Sequence, residues 1–274
     1  MSRFMARYSA WTGKRTSKRK RLMVFLSNGF KSTLRSKWTI LALAITYGLI
    51  LVPRLFMAMM PGQRFNPNFY FTLFDEMGLF IILYSAVVGS GIIANDWNDK
   101  SIVLYFTKGL SKAGYVAGKL MILVASLSLI TILPLLILFS LGLISSNLTF
   151  DLLRDNIWVL AAGLSMGLYQ TIFLTFLIAG LSSLLNDRRY TGVALFSSFI
   201  LSRLVSDILY GLNGNDMVRL ASIQDNFTMV GTYLFRLDGI YSFSRYYSFF
   251  VLLAIIIIMA SIVYYNVFIK ELRT

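Results

Sequence analysis

Long uncharged stretches of apolar residues alternate with short polar segments along most of the chain. A transmembrane helix needs about 20 mainly apolar residues to cross about 30 Å of hydrocarbon. Six stretches meet this requirement: 38–60, 71–94, 120–144, 157–185, 190–212 and 246–269. The pattern therefore predicts an all-α polytopic membrane protein with six transmembrane helices, which we call spans 1 to 6.

The residues before span 1 show a different periodicity. Apolar side chains recur at every fourth position from Leu22 to Trp38, whereas Lys31, Arg35 and Lys37 occupy other positions. This pattern predicts an amphipathic helix over 22–37 that lies in the membrane interface. Residues 1–21 carry eight Lys and Arg among Ser, Thr and Gly, a composition typical of a flexible basic arm.

Two features modify the six-span pattern. Pro134 removes a backbone donor inside span 3 and is expected to kink that helix. Residues 213–245, between spans 5 and 6, open with a polar run and then mix charged with apolar side chains. We expect short external helices packed on the membrane face here, followed after span 6 by a tail at 270–274.

Composition and charge support a membrane protein and predict its orientation. Hydrophobic residues make up 57% of the chain and charged residues 14%, which excludes an ordinary soluble domain despite the net charge of +14. Residues 1–37, 95–119, 186–189 and the tail carry 19 of the 26 Lys and Arg. Because positive loops are retained in the cytoplasm, both termini should be cytoplasmic, in a multi-pass protein of the plasma membrane.

The residue types present exclude most catalytic chemistry. The chain has no Cys and no His, and therefore no thiolate nucleophile, imidazole base or common zinc, copper or haem ligand. A phosphate-binding loop is also missing, since Leu120 follows Gly118-Lys119 where the motif needs Ser or Thr. We expect no enzyme, no catalytic residue, no metal site and no cofactor in this chain.

Ionisable side chains inside the spans are few and lie toward the outer side: Arg54, Asp75, Glu76, Arg203 and Asp207. Arg203 and Asp207 are four residues apart, so they share a helix face and can pair. Such charges mark a translocation path or a partner, or else snorkel to the headgroups. Asp75 and Glu76 are expected to be interface residues.

The loop at 95–119 has an unusual composition. Asn95 and Asp96 are good helix caps, and a short helix is predicted over about 99–106. Its apolar residues need a surface to pack against, either the membrane or a partner protein.

In this loop the sequence resembles the ABC-2 type permeases, the membrane subunits of ABC exporters. Asp96 or Asp99 matches the acidic residue of the family pattern, and Ser101-Ile102 matches its Gly-Thr pair. Lys108-Gly109 matches its basic-Pro pair, with Gly in place of Pro, and Gly118-Lys119 matches the pair that enters span 3. The resemblance extends to the amphipathic helix, the six spans, the inside termini and the insert between spans 5 and 6.

The resemblance implies a complex of two permease chains, identical or homologous, with two copies of a separate ATPase subunit that holds ATP and Mg. The ATPases would dock on the loop through a set of coupling residues: Asp96, Asp99, Ser101, Ile102, Val103, Phe106 and Lys108. An amphipathic, peptide, drug or lipid-like substrate would leave along spans 2 and 5, near Arg203 and Asp207.

Two other functions remain open. A secondary transporter without an ATPase is less consistent with the sequence, which shows no inverted repeat and no acidic relay near mid-membrane. A membrane-embedded scaffold or immunity-type protein, which sequesters a ligand without turnover, is equally compatible with the spans.

Two sequons, at Asn147 and Asn226, fall on the predicted outer side and are glycosylation candidates.

Overall fold

The computed structural model describes residues 17–60, 62–101, 107, 111–146, 150–185 and 187–269. All regular secondary structure within these residues is helical. Six helices in the described part of the chain are long and apolar enough to cross a membrane. The prediction of an all-α polytopic membrane protein is therefore confirmed.

The amphipathic helix covers Lys18–Arg35. It begins earlier than predicted because the hydroxyl of Ser17 accepts a hydrogen bond from the backbone N–H of Lys20, which caps the first turn. It ends at Arg35 because Ser36 adopts an extended backbone conformation before span 1 starts. Its inner face packs on the first turns of span 3, where Gly118 leaves room for the ring of Phe25.

Spans 1 and 2 form a hairpin. Span 1 runs through Lys37–Thr46, a wider π-helical turn at Tyr47–Leu51, and Val52–Ala58. The wide turn precedes Pro53, which has no N–H to continue the regular hydrogen-bond ladder. Span 2 covers Pro67–Gly89 and starts before the predicted position because Asn66 caps it directly ahead of Pro67.

Span 3 is interrupted once, as Pro134 predicts. Its two parts are Lys112–Thr131 and Leu133–Ser145, and the break falls at Ile132. Pro134 cannot donate the hydrogen bond that would continue the ladder across Ile132. The interruption therefore has a local cause in the sequence.

The remaining spans differ in how much of their surface is covered. Span 4 covers Phe150–Leu184, span 5 Arg188–Asn213, and span 6 Arg245–Tyr264 with a π-helical end at Tyr265–Ile269. Half or more of the most apolar window is buried in spans 2, 3 and 4, but only 11–17% in spans 1, 5 and 6. Spans 2 to 4 thus form the core, and the other three present apolar surface outward.

The segment between spans 5 and 6 contains two short helices, a 3₁₀ turn at Asp216–Ala221 and an α-helix at Ile223–Leu234 that we call the interspan helix. Span 5 ends at Asn213 and is followed by Gly214, whose φ of 61° is the left-handed conformation that glycine adopts without strain. Eight of the twelve interspan-helix residues are buried against spans 2, 4, 5 and 6. The short helices were predicted, but this one packs among the span ends instead of on the membrane face.

Candidate functional site

The chain turns sharply where span 2 leads into the loop 95–119. After Gly89 it bends over 90–93 and forms a short helix, Ala94–Asn98. The hydroxyl of Ser182, in span 4, accepts hydrogen bonds from the backbone N–H groups of Ile93 and Ala94, at 3.1 and 2.9 Å. The same hydroxyl donates to the carbonyl of Ser90 at 3.1 Å, so this turn is fixed to span 4.

Asp96, on the short helix, is buried and fully paired. Its Oδ2 accepts a hydrogen bond from the hydroxyl of Tyr115 at 2.6 Å and lies 2.7 Å from the Nζ of Lys119. Its Oδ1 accepts a hydrogen bond from the hydroxyl of Ser101 at 3.2 Å. The Lys119 ammonium also lies 5.9 Å from the ring centre of Phe25. We call these five residues the Asp96 junction.

The Asp96 junction joins three elements that sequence analysis treated separately. Asp96 belongs to the short helix after span 2, Tyr115 and Lys119 to the first turns of span 3, and Phe25 to the amphipathic helix. Because a buried charge needs a partner, Asp96 and Lys119 hold the two ends of the loop 95–119 together. A displacement of this loop would therefore be transmitted to the amphipathic helix and to span 3.

Three of the seven predicted coupling residues lie within the described residues. Asp96 and Ser101 lie in the junction, whereas Asp99 is exposed at the end of the short helix. Four further coupling residues lie outside the described residues: Ile102, Val103, Phe106 and Lys108. The sequence pattern did not indicate Tyr115 as a partner of Asp96, although Tyr115 and Lys119 are four residues apart and share a helix face.

A cavity of about 840 Å³ lies beside the junction, between the amphipathic helix and spans 2 and 3. Three basic side chains line it: Arg21, Lys119 and Arg188. The guanidinium of Arg188, at the start of span 5, donates to the carbonyl of Val87 at 3.2 Å. This end of the bundle is thus positively charged.

Arg54 and Glu76 form an ion pair between spans 1 and 2, nearer the opposite end of the bundle. Nη2 of Arg54 lies 2.8 Å from Oε1 of Glu76, and its Nε donates to Oε2 at 3.0 Å. Arg54 is 5% exposed, and its guanidinium also donates to the hydroxyl of Thr72 and the carbonyl of Phe69. Glu76 is therefore an internal contact of the hairpin, not only an interface residue.

Arg203 and Asp207 share a face of span 5, but they are not each other's closest partners. Nε of Arg203 lies 4.0 Å from Oδ2 of Asp207, and both side chains are about half exposed. Arg219, on the 3₁₀ turn, makes the close contact with Asp207 and also lies 3.6 Å from Oδ2 of Asp225. The predicted pair is thus a peripheral part of a cluster centred on Arg219.

The surroundings of Arg219 stabilise its charge. Its guanidinium lies 4.4 Å from the ring centre of Tyr210, and the hydrogen bond to Asp207 raises the pKa of Arg219.

Two other ionisable groups of the segment 213–245 have shifted pKa values. Burial raises the pKa of Tyr241 to about 12. The backbone N–H of Ser242 donates to Asp216 at 2.8 Å and lowers the pKa of that carboxyl, which fixes the end of the segment 213–245 to its beginning.

The glycosylation candidate Asn226 is inaccessible in the fold. It is 1% exposed, and its Nδ2 donates to the carbonyls of Leu220 and Ser222, at 2.8 and 2.7 Å. Both amide hydrogens are used, so the nitrogen that would carry a glycan is hydrogen-bonded to backbone carbonyls at the start of the interspan helix instead. Asn147 lies outside the described residues.

The chain matches no protein-family model and no curated protein sequence. Within the described residues, no group of three His, Cys, Asp or Glu side chains could hold a metal ion. The fold and its charged sites define a multi-pass membrane protein whose core consists of spans 2 to 4.

Proposed function

We propose that the chain is the membrane subunit of an ATP-driven exporter of the ABC-2 type. In this role it moves an amphipathic, peptide, drug or lipid-like substrate and hydrolyses no ATP itself. The proposal combines the resemblance of the loop 95–119 with the geometry of the Asp96 junction.

The Asp96 junction is the observation that carries the proposal. A permease must convert the movement of a separate ATPase into movement of its spans. The turn that leads into the loop 95–119 is hydrogen-bonded to Ser182 of span 4, and the ion pair of Asp96 with Lys119 joins the two ends of the loop. The amphipathic helix would move together with span 3, because Phe25 packs against Gly118. A force applied to the loop would thus act on four elements together.

The proposed partners are two ATPase subunits, which hold ATP and Mg, and a second permease chain, identical or homologous. Both termini would be cytoplasmic and the complex would lie in the plasma membrane. Two observations support this arrangement: the basic side chains around the junction cavity and the apolar outer surfaces of spans 1, 5 and 6. Such surfaces suit lipid or another membrane chain.

Purification of the tagged chain from its native membrane in a mild detergent tests the proposal. We expect a subunit with the G-x-x-x-x-G-K-[ST] motif to co-purify in equal amount, identified by mass spectrometry, and the complex to hydrolyse ATP. A chain that purifies without such a subunit, and whose preparation has no ATPase activity, would contradict the proposal. In that case a scaffold or a secondary transporter would account better for the six spans.

A further inference from the structure

Gln170, in span 4, is a buried polar side chain whose acceptor is unused. The residue is 8% exposed, and its Oε1 has no hydrogen-bond partner in the described part of the chain. It lines a small cavity of about 50 Å³ between spans 2, 4 and 5 and the interspan helix. Because an unpaired buried acceptor is costly, this oxygen favours a ligand in the cavity that can donate a hydrogen bond to it.

Asp75, in span 2, lines the same cavity and is itself exposed. No cation among the described residues lies within ion-pairing distance of its carboxylate. Its neighbour Glu76 differs in this respect, since it pairs with Arg54. A charge within a span marks a functional site by default, and no described cation neutralises this one.

The two polar groups lie at similar heights. Asp75 is 14 residues before Gly89, where span 2 ends, and Gln170 is 14 residues before Leu184, where span 4 ends. At 1.5 Å per residue each lies about 21 Å from its end of the bundle.

Aromatic rings form much of the rest of the cavity wall. Four phenylalanines contribute, from spans 2 and 5 and the interspan helix: Phe71, Phe74, Phe199 and Phe227. Aromatic faces attract a cation and also pack against apolar groups. A carboxylate, a free amide oxygen and aromatic rings together suit one ligand chemistry, a positively charged N–H donor attached to an apolar body.

We propose that this cavity binds the protonated amino group of a free amphipathic amine. Asp75 balances the charge, Gln170 accepts a hydrogen bond from the ammonium, and the phenylalanine rings pack on the adjoining apolar carbons. The cavity holds a headgroup only, so the tail extends through the open side beside Asp75. That the amine is exported rests on the proposed function, whereas binding of the amine in this cavity does not.

Equilibrium dialysis of the purified chain in uncharged maltoside micelles tests the site with three ligands of equal tail length. Radiolabelled decylammonium has both the charge and the N–H donor, decyltrimethylammonium has the charge alone, and decanol has a donor without the charge. We expect saturable binding of decylammonium, about fivefold weaker binding of decyltrimethylammonium and about tenfold or more weaker binding of decanol. Equal binding of all three ligands would overturn the proposal.

Two variants assign the binding to the named residues. Asp75→Asn should remove the saturable decylammonium component, and Gln170→Leu should abolish the preference for decylammonium over decyltrimethylammonium while retaining charge-dependent binding. Asp151→Asn is the matched control, because Asp151 is an exposed carboxylate at the start of span 4 and should leave binding unchanged. Each variant must elute and melt as the unmodified chain does.

Unchanged decylammonium binding in a folded Asp75→Asn variant would contradict the site. Displacement of decylammonium by an equal concentration of short-chain phosphatidylethanolamine would also contradict it, since the ligand would then be a lipid headgroup. We expect weak displacement, because the lipid phosphate would lie near the Asp75 carboxylate. Since no ATPase takes part in this assay, a negative result here leaves the proposed exporter role to its own test.

Discussion

Asp96 and Lys119 form a buried ion pair, with side-chain exposures of 11% and 12%. Asp96→Ala would strand the ammonium of Lys119 inside the protein, and we expect it to cost about 3 to 5 kcal/mol of unfolding free energy. The double change Asp96→Ala with Lys119→Ala should cost less than the sum of the single changes, because neither charge is then left alone. Chemical denaturation in micelles measures these differences.

The matched control is Asp99→Ala. Asp99 is exposed three residues from Asp96, and its removal should change the unfolding free energy by less than about 0.5 kcal/mol. Equal losses in the Asp96 and Asp99 variants would show that the junction does not depend on the ion pair.

Asp207 has two possible cationic partners, Arg219 and Arg203, whose interaction energies can be compared. The Asp207 side chain is 47% exposed, so solvent weakens even its close contact with Arg219. A double-mutant cycle on Arg219→Ala and Asp207→Ala should give a coupling of about 0.5 to 1 kcal/mol, and one on Arg203→Ala and Asp207→Ala a coupling near zero. A larger coupling for Arg203 than for Arg219 would show that Arg203 is the main partner of Asp207, as helical spacing predicts.

Helical spacing identified residues that share a face, but not partners that the fold brings together. Arg203 and Asp207 are four residues apart and do approach each other, as predicted. Arg219 reaches Asp207 only because the chain reverses at Gly214, and Lys119 reaches Asp96 only because the loop 95–119 closes. Such contacts depend on turn geometry, which periodicity does not report.

The contact between the amphipathic helix and span 3 depends on the small size of Gly118. A Cβ placed on Gly118 would lie 2.6 Å from the ring of Phe25, whereas one on Gly48 of span 1 would meet nothing within 4 Å. Gly118→Leu should therefore displace the amphipathic helix, and Gly48→Leu should not. Trypsin cleavage at Lys31 and Arg35 measures the displacement, and we expect it to become several times faster in the Gly118 variant alone. Equal cleavage rates in both variants would show that the amphipathic helix does not pack on Gly118.

At the level of elements, apolar periodicity predicted all six spans and the amphipathic helix, but it predicted their ends less well. Span 4 begins at Phe150 instead of 157 because backbone hydrogen bonding continues through Asp151, Arg154 and Asp155. A helix does not need apolar side chains to extend beyond the hydrocarbon. The buried interspan helix was harder to foresee, since its length is too short for a span.

The charge asymmetry predicts the orientation of the whole molecule, and this prediction can be tested directly because the chain has no cysteine. Cysteines introduced at the exposed positions Asn213 and Asn98 lie at opposite ends of the bundle. In intact cells an impermeant thiol reagent should label Asn213→Cys and leave Asn98→Cys unlabelled, and permeabilised cells should show both labelled. Labelling of Asn98→Cys in intact cells would reverse the predicted orientation.

For the whole molecule, the central claim is that the loop 95–119 receives the movement of an ATPase. Its measurement is the substrate-stimulated ATP hydrolysis of the purified complex, compared between the unmodified chain and a chain with Val103→Asp and Phe106→Asp. The control carries Met217→Asp and Ile240→Asp, two exposed apolar residues between spans 5 and 6. We predict that the loop variant inserts normally but loses the stimulated hydrolysis, whereas the control retains it. A complex of the loop variant that assembles and hydrolyses ATP at the unmodified rate would contradict the account.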